Sequence, residues 1–100
     1  MSDFQKPSIG QQGRYAIGSD CYPITVVYVS PSGKTIRVQH DSFRAGEGHD
    51  YFGAQKWIIE RNLQGRVERF DWSPSLGCFS RKGTGYVRLD GWRAYQDPSF

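Results

Sequence analysis

The stretch Tyr22-Pro-Ile-Thr-Val-Val-Tyr-Val-Ser-Pro-Ser-Gly-Lys-Thr-Ile-Arg-Val-Gln-His-Asp41 decides the fold of this chain. Two runs rich in β-branched residues flank the turn sequence Pro31-Ser32-Gly33. Proline presets φ for a turn and glycine accepts a positive φ, so the stretch predicts a β-hairpin.

The two arms of this hairpin differ in their side-chain pattern. The first arm is apolar on both faces, one of them formed by Ile24, Val26 and Tyr28, which predicts a central strand. The second arm alternates apolar and polar residues, which is typical of a half-buried strand. Its side chains expected in solvent are Arg37 and Gln39.

The rest of the chain consists of short β-rich runs separated by turn residues. Further strands are expected at residues 13–18, 55–61, 66–72, 76–82 and 86–90. Residues 1–12 are expected to form a flexible tail, residues 42–53 a long loop, and residues 92–100 an aromatic tail over the barrel end. Strands that recur every eight to twelve residues or so suggest a sandwich or a barrel. We therefore predict one all-β domain over residues 13–100, a small SH3-like barrel or a strongly curved antiparallel meander of about six strands.

Composition limits the kind of protein this is. Its 100 residues suit one domain, and an aromatic content of 15% predicts an aromatic core. The polar start has no apolar segment typical of a secretion signal, and the longest apolar run, Val26–Val29, is far too short to span a membrane. We expect a soluble cytoplasmic protein in which Cys21 and Cys78 are small buried side chains rather than a disulfide.

Catalytic and metal-binding patterns are weak. Adjacent strand residues point to opposite faces, so His40 and Asp41 cannot pair, whereas His49 and Asp50 lie in the predicted loop and can. Four residues have side chains that zinc prefers: Cys21, His40, His49 and Cys78. Their spacing matches no zinc motif. We therefore expect no enzyme activity, no metal and no cofactor.

The whole chain carries a net charge of +3, and its basic residues are concentrated in the last third. Six of them are Arg66, Arg69, Arg81, Lys82, Arg88 and Arg93. Small barrels bind single strands through basic residues interleaved with aromatic ones, and Tyr86 and Trp92 are the candidate stacking platforms. This pattern predicts a non-enzymatic module that binds nucleic acid or a nucleoprotein. The alternative is that Glu68, Asp71 and Asp90 pair with these arginines and leave a near-neutral face.

From Gly13 onward the chain resembles a family of small uncharacterised proteins found mainly in bacteriophages and prophages. The matching segments are Gly18-Ser-Asp-Cys-Tyr-Pro-Ile-Thr-Val-Val, Ser32-Gly-Lys-Thr-Ile-Arg-Val-Gln-His-Asp, Asn62-Leu-Gln-Gly-Arg-Val, Ser80-Arg-Lys-Gly and Arg93-Ala-Tyr-Gln-Asp-Pro-Ser-Phe. The resemblance implies a phage origin, a β-fold and action in the host bacterial cytoplasm, but no particular site. The hairpin also resembles the first strands of Tudor and KOW modules, which are SH3-like barrels.

A phage origin adds a second hypothesis for function. Phage proteins of this size often act by occupying a host protein, so the alternative function is a protein inhibitor of a host system, with anti-defence, anti-CRISPR or host-takeover action. Tyrosine- and arginine-rich surfaces suit such interfaces, and Tyr51 and Phe52 in the predicted loop are candidate contacts. The oligomeric state stays open, a homodimer included.

Overall fold

The computed structural model describes residues 4–81 and 85–97, and all regular structure within them is β-strand. The strands are β1 Gln12–Ile17, β2 Asp20–Val29, β3 Thr35–His40, β4 Ser42–Ala45, β5 Trp57–Glu60, β6 Val67–Ser73, β7 Cys78–Ser80 and β8 Tyr86–Arg88. Six of them close into an antiparallel barrel in the order β1-β2-β3-β6-β7-β8, while β4 and β5 form a separate two-stranded sheet. The predicted all-β fold, a small barrel of six strands, is confirmed. The described residues include no helix long and apolar enough to cross a membrane.

The barrel core is filled by the inward faces of the predicted hairpin and of the strands that close on it. Its buried apolar residues are Ile24, Val26, Ile36, Val38, Phe70, Phe79 and Val87. Each is at most 3% exposed, and in β3 the buried pair Ile36 and Val38 follows the period-two alternation of a strand.

A β-bulge in β2 changes the predicted face of Tyr28. The β2–β3 register pairs Val26 with Val38 but Tyr28 with Arg37, which leaves Val27 as an extra residue. An extra residue reverses the alternation beyond it. Tyr28 is therefore 42% exposed, while Val29 packs against the core. The expectation that Tyr28 shares a face with Ile24 and Val26 was wrong for this reason.

The barrel closes between β1 and β8, where Tyr15 pairs with Val87. Gly13 lies at this seam, where an added Cβ would overlap the backbone carbonyl of Arg88 and lie 2.9 Å from the side chain of Leu89. A side chain at position 13 has no room there, so glycine allows the two strands to approach.

Residues 42–53 are not one long loop, because β4 occupies the first four of them. β4 pairs with β5, so the strand predicted at 55–61 exists but lies outside the barrel. The small sheet packs through aromatic contacts: the Phe43 ring is 5.0 Å from that of Trp57 and 5.9 Å from that of Tyr22. The two-stranded sheet of β4 and β5 is thereby held against β2 of the barrel.

A buried polar network joins the two sheets at Asp41, whose side chain is fully buried. Its carboxylate accepts hydrogen bonds from the Thr25 hydroxyl (2.6 Å), the Asn62 backbone N–H (3.2 Å), the Trp92 indole N–H (3.0 Å) and the Arg61 guanidinium. Four donors satisfy the acceptor capacity of one carboxylate, which is the condition for burying its charge.

Gln39 belongs to the same network, so the prediction that it faces solvent was wrong. Its amide donates to the carbonyls of Leu63 (3.2 Å) and Gly65 (3.1 Å) and accepts from Arg61 (2.9 Å). The segment between β5 and β6 covers this part of the outer wall, and Gln39 supplies the partners that the covered backbone needs.

Both ends of the described chain pack on the barrel. The Phe4 ring lies 4.9 Å from that of Trp72, and Gly10 and Gln11 exchange backbone hydrogen bonds with Val26, so residues 4–11 differ from the tail expected there. Of the C-terminal segment, residues 92–97 are described, and Tyr95 exchanges two backbone hydrogen bonds with Cys21, so this part pairs beside the start of β2.

Both cysteines are free thiols. Cys78 is 4% exposed, as expected of a small buried side chain, whereas Cys21 is only partly buried.

Candidate nucleic-acid interface

Three neighbouring side chains on the outer wall of the barrel form the wall patch: Tyr28, Arg37 and Arg69. The strand registers place Arg37 directly between Tyr28 of β2 and Arg69 of β6. All three are exposed, and the Arg37 guanidinium lies 5.3 Å from the centroid of the Tyr28 ring, within cation–π range. A phenol ring and two guanidinium groups therefore share one continuous surface.

Beside the wall patch is a cleft of about 550 Å³, called the wall cleft, lined by Val67, Glu68, Arg69, Asp71 and Arg81. Arg69 contacts Asp71 at 3.3 Å, and Arg81 contacts Glu68 at 3.1 Å. These arginine side chains are still 64% and 58% exposed. In the Arg69–Asp71 pair the carboxylate is also 58% exposed, and ion pairs this exposed contribute only about 0–1 kcal/mol, so a polyanion can exchange for Asp71 at little cost.

Glu68 is the meeting point of three basic side chains. Its carboxylate is 2.6 Å from His40 Nε2, 3.1 Å from Arg81 and 3.6 Å from Arg66. His40 and Glu68 are 18% and 12% exposed, which makes theirs the more protected pair. The pairing alternative raised above is thus realised in part, because Glu68 serves Arg66 and Arg81 together.

The region as a whole still has an excess of positive charge. Arg66, Arg69 and Arg81 share the carboxylates of Glu68 and Asp71. With the neighbouring Arg37 they make four positive charges against two negative, a formal +2 when histidine is not counted. In the described ranges 4–81 and 85–97, no carboxylate lies within ion-pair distance of Arg37.

Three residues of the predicted basic set lie near one another: Arg66 and Arg81 at Glu68, and Arg69 at Asp71. Arg88 lies on β8 opposite Arg14 of β1, two strands away from β6 around the barrel. Asp90 pairs with Arg14 at 3.4 Å. Arg88 also borders a separate groove of about 280 Å³, whose other lining residues include Lys6, Trp72 and Cys78.

The remaining predicted residues differ in their exposure. Tyr86 is 39% exposed and lies on the outer face of β8, in register with Ser80 and Ala16. Arg93 is exposed on the C-terminal segment. Trp92 is partly buried with its indole N–H bonded to Asp41, so it is a structural residue rather than the stacking platform expected. Lys82 lies outside the described residues.

Two features of the interface escaped the sequence reasoning. Tyr28 was missed because a bulge cannot be read from alternation alone. The pairing of Arg37 with Arg69 was missed because register is not visible within a single strand. The signal that existed was the outward position of Arg37 beside the basic sixth strand.

Histidine chemistry differs from what adjacency in sequence suggests. His40 and Asp41 do point to opposite faces, as predicted, and His40 instead pairs with Glu68. His49 Nδ1 accepts the Lys56 backbone N–H at 2.8 Å, so this histidine organises its loop and does not pair with Asp50. No group of three or more His, Cys, Asp or Glu suited to a metal occurs in the described part of the chain.

Comparisons of the chain with known protein families, with curated proteins and with solved structures found no match in any of the three.

Proposed function

We propose that this protein is a non-enzymatic binding module for single-stranded nucleic acid, free or in a nucleoprotein, which it contacts through the wall patch and the wall cleft. By its resemblance to phage proteins, we place this action in the cytoplasm of a bacterial host. The observation that carries the proposal is the direct opposition of Arg37 and Arg69, exposed beside Tyr28.

This opposition is costly for the fold alone. Like charges directly opposite each other on neighbouring strands destabilise a sheet, by up to about 1 kcal/mol. Asp71 relieves Arg69 in part, and the Tyr28 ring relieves Arg37. A phosphate backbone laid across the pair relieves both at once, and it releases counterions as it binds.

The phenol ring adds the second element that a single strand needs. Unpaired bases expose their faces, and stacking on an aromatic side chain contributes about 1–3 kcal/mol per base. Tyr28 is exposed beside the two guanidinium groups. The combination favours an unpaired strand over a duplex, whose base faces are covered.

The test is fluorescence anisotropy with a labelled single-stranded oligonucleotide at several salt concentrations. We expect affinity to fall as salt rises, with a log–log slope of about −0.7 per phosphate contact. The variant R37A should lower the affinity and reduce the slope by about one contact. Y28A should weaken binding about fivefold or more, and Y28F should retain it.

The matched control is R44A, which removes an exposed arginine paired with Glu60 on the outer sheet. It changes net charge as R37A does, but away from the wall patch. No binding at low salt, or equal losses for R37A and R44A, would reject the proposed interface.

A second function, occupation of a host protein, is favoured by Phe52, whose side chain is 80% exposed beside Tyr51 in the segment between β4 and β5. Affinity capture with the wild-type chain and with F52S tests it. This function requires a stoichiometric host protein that the wild type retains and F52S loses. Capture that is the same for both chains would reject it.

A further inference from the structure

One end of the barrel opens into a cavity of about 390 Å³, called the barrel mouth. It is lined by Tyr15, Ile17, Tyr22, His40 and Arg66. Tyr15 connects the barrel mouth to the core, because the Tyr15 ring lies 5.4 Å from the ring of Phe70. Small-ligand sites range from about 300 to 1,000 Å³, so this volume suits a ligand of about one nucleotide.

The aromatic walls of the mouth are already in place. The rings of Tyr15 and Tyr22 are 6.3 Å apart with an angle of 32° between their planes. Burial, followed by the charge of Glu68, raises the pKa of Tyr15, and burial, followed by Asp20, raises the pKa of Tyr22. The Tyr22 hydroxyl donates to Asp20 at 3.4 Å, so the two tyrosines contribute ring surface to the mouth.

Among the lining residues of the mouth, Arg66 carries the positive charge that a ligand can engage. Glu68 makes its short contacts with His40 at 2.6 Å and Arg81 at 3.1 Å, whereas Arg66 is 3.6 Å away and 71% exposed. A contact beyond 3.5 Å is not a hydrogen bond, so Arg66 is held only loosely. Its guanidinium can turn to a ligand in the mouth while Glu68 keeps its two closer partners.

We propose that the barrel mouth binds the phosphate monoester of a nucleotide, with Arg66 on the phosphate and the rings of Tyr15 and Tyr22 against the base or sugar. A monoester carries nearly two negative charges at neutral pH, more than each internal phosphate of a strand, and a planar guanidinium binds it in bidentate fashion. The ligand is either a free mononucleotide or the phosphorylated end of a strand.

This inference extends the proposed function, because the two sites adjoin at one residue. Glu68 lines the wall cleft and contacts both His40 and Arg66 of the mouth. A nucleic-acid strand that crosses the wall patch and ends beside Glu68 has its terminal phosphate close to the mouth. That phosphate can then bind in the mouth.

The test compares four ligands by anisotropy or calorimetry: one oligonucleotide with a 5′-phosphate, the same one with a 5′-hydroxyl, the same one with a 3′-phosphate, and AMP. We expect phosphorylation of one end to raise affinity about tenfold, the effect of one charge-assisted bidentate contact. R66A should abolish this gain, so that the phosphorylated and the 5′-hydroxyl oligonucleotides bind this variant within about twofold of one another. R66K should restore part of the gain, and R37A should weaken all oligonucleotides while keeping the ratio.

The outcomes separate the two sites. Equal affinity of the wild type for phosphorylated and unphosphorylated strands, with no binding of AMP, overturns the mouth site and leaves the wall interface standing. Binding of AMP that R66A removes, without binding of any unphosphorylated strand, supports the mouth and overturns the wall interface. A phosphate-dependent gain that survives in R66A overturns the role of Arg66.

Discussion

Asp41 shows how one residue joins parts of the chain that are far apart in sequence. Its carboxylate holds Thr25 of β2, the Arg61–Asn62 segment after β5 and Trp92 near the C-terminus. The Asp41 side chain is fully buried, so this network contains a charge that these four donors stabilise.

We expect D41N to destabilise the protein by about 3 kcal/mol, because the amide loses the charge that pairs with Arg61 and turns an N–H₂ group toward other donors. Urea unfolding followed by tryptophan fluorescence measures the change. The matched control is E60Q, which also removes the charge of an arginine partner, at a pair about two-thirds exposed. It should cost less than about 0.5 kcal/mol. Equal losses for the two variants would contradict the role given to Asp41.

Tyr15 should make stability depend on alkaline pH. Burial and Glu68 raise its pKa above the ordinary 10.0, so the folded chain holds the phenol proton more tightly than the unfolded chain does. Its contribution is fully present below pH 10.0 and is lost as pH rises through the folded-state pKa. Unfolding midpoints measured as pH is raised through this range should fall, and the fall should be smaller in Y15F. The same fall in Y15F and in the wild type would refute this assignment.

At this scale the sequence predicted more about apolar residues than about polar ones. Ile36, Val38 and Phe70 are buried as alternation requires. Alternation does not account for the burial of Gln39 and Asp41. They are buried because other segments cover the outer wall, and the backbone of those segments needs hydrogen-bond partners there. A single strand cannot indicate what covers it.

Among the elements, the seam between β1 and β8 depends on the absence of a side chain. Any Cβ at position 13 would overlap the Arg88 carbonyl and come within 2.9 Å of the Leu89 side chain. We expect G13A to separate these strands and cost about 3 kcal/mol, as overpacking of a well-packed site does.

Thermal unfolding and near-ultraviolet circular dichroism measure this loss. Q12A, an exposed change on the same strand, should stay within about 0.5 kcal/mol of the wild type. If G13A were as stable as the wild type, β1 and β8 could accommodate a side chain at position 13, which would contradict this prediction.

The hairpin of β2 and β3 was predictable because its turn and its apolar arms are local signals. The pairing of β4 with β5 was harder to predict. Ser42–Ala45 is short, and nothing in its four residues distinguishes a strand from the start of a glycine-containing loop. The pairing of Ser42–Ala45 with β5 is what makes it a strand, and a partner twelve or more residues away cannot be read from these four residues.

For the whole molecule, the division into a closed barrel and an outer two-stranded sheet predicts unequal local stability. β2, β3 and β6 carry most of the buried core, whereas all four residues of β4 are partly or fully exposed. We expect amides in β2, β3 and β6 to exchange with solvent at rates set by global unfolding, and those in β4 and β5 to exchange faster through local opening. Native-state hydrogen exchange checks this order, and equal protection in both sheets would contradict it.

The barrel itself was predictable because strand number, turn spacing and aromatic content agree. The set of strands that close the barrel was not predictable. The predicted strand at 55–61 is as apolar as its neighbours, yet it pairs with β4 outside the barrel. The separation of Arg88 from Arg69 follows from the same closure, which brings β8 against β1 and away from β6.

The extra residue at Val27 has a consequence for how such a surface can be gained or lost. If Val27 were paired in regular register instead, Tyr28 would continue the inward series of Ile24 and Val26, and the outer surface would have arginines but no ring beside them. Deletion of Val27, by contrast, would leave Tyr28 next after Val26 and still opposite Arg37, so the ring would stay in solvent. The backbone conformation at one position, and no change in any basic residue, therefore decides whether this wall carries a ring beside its arginines.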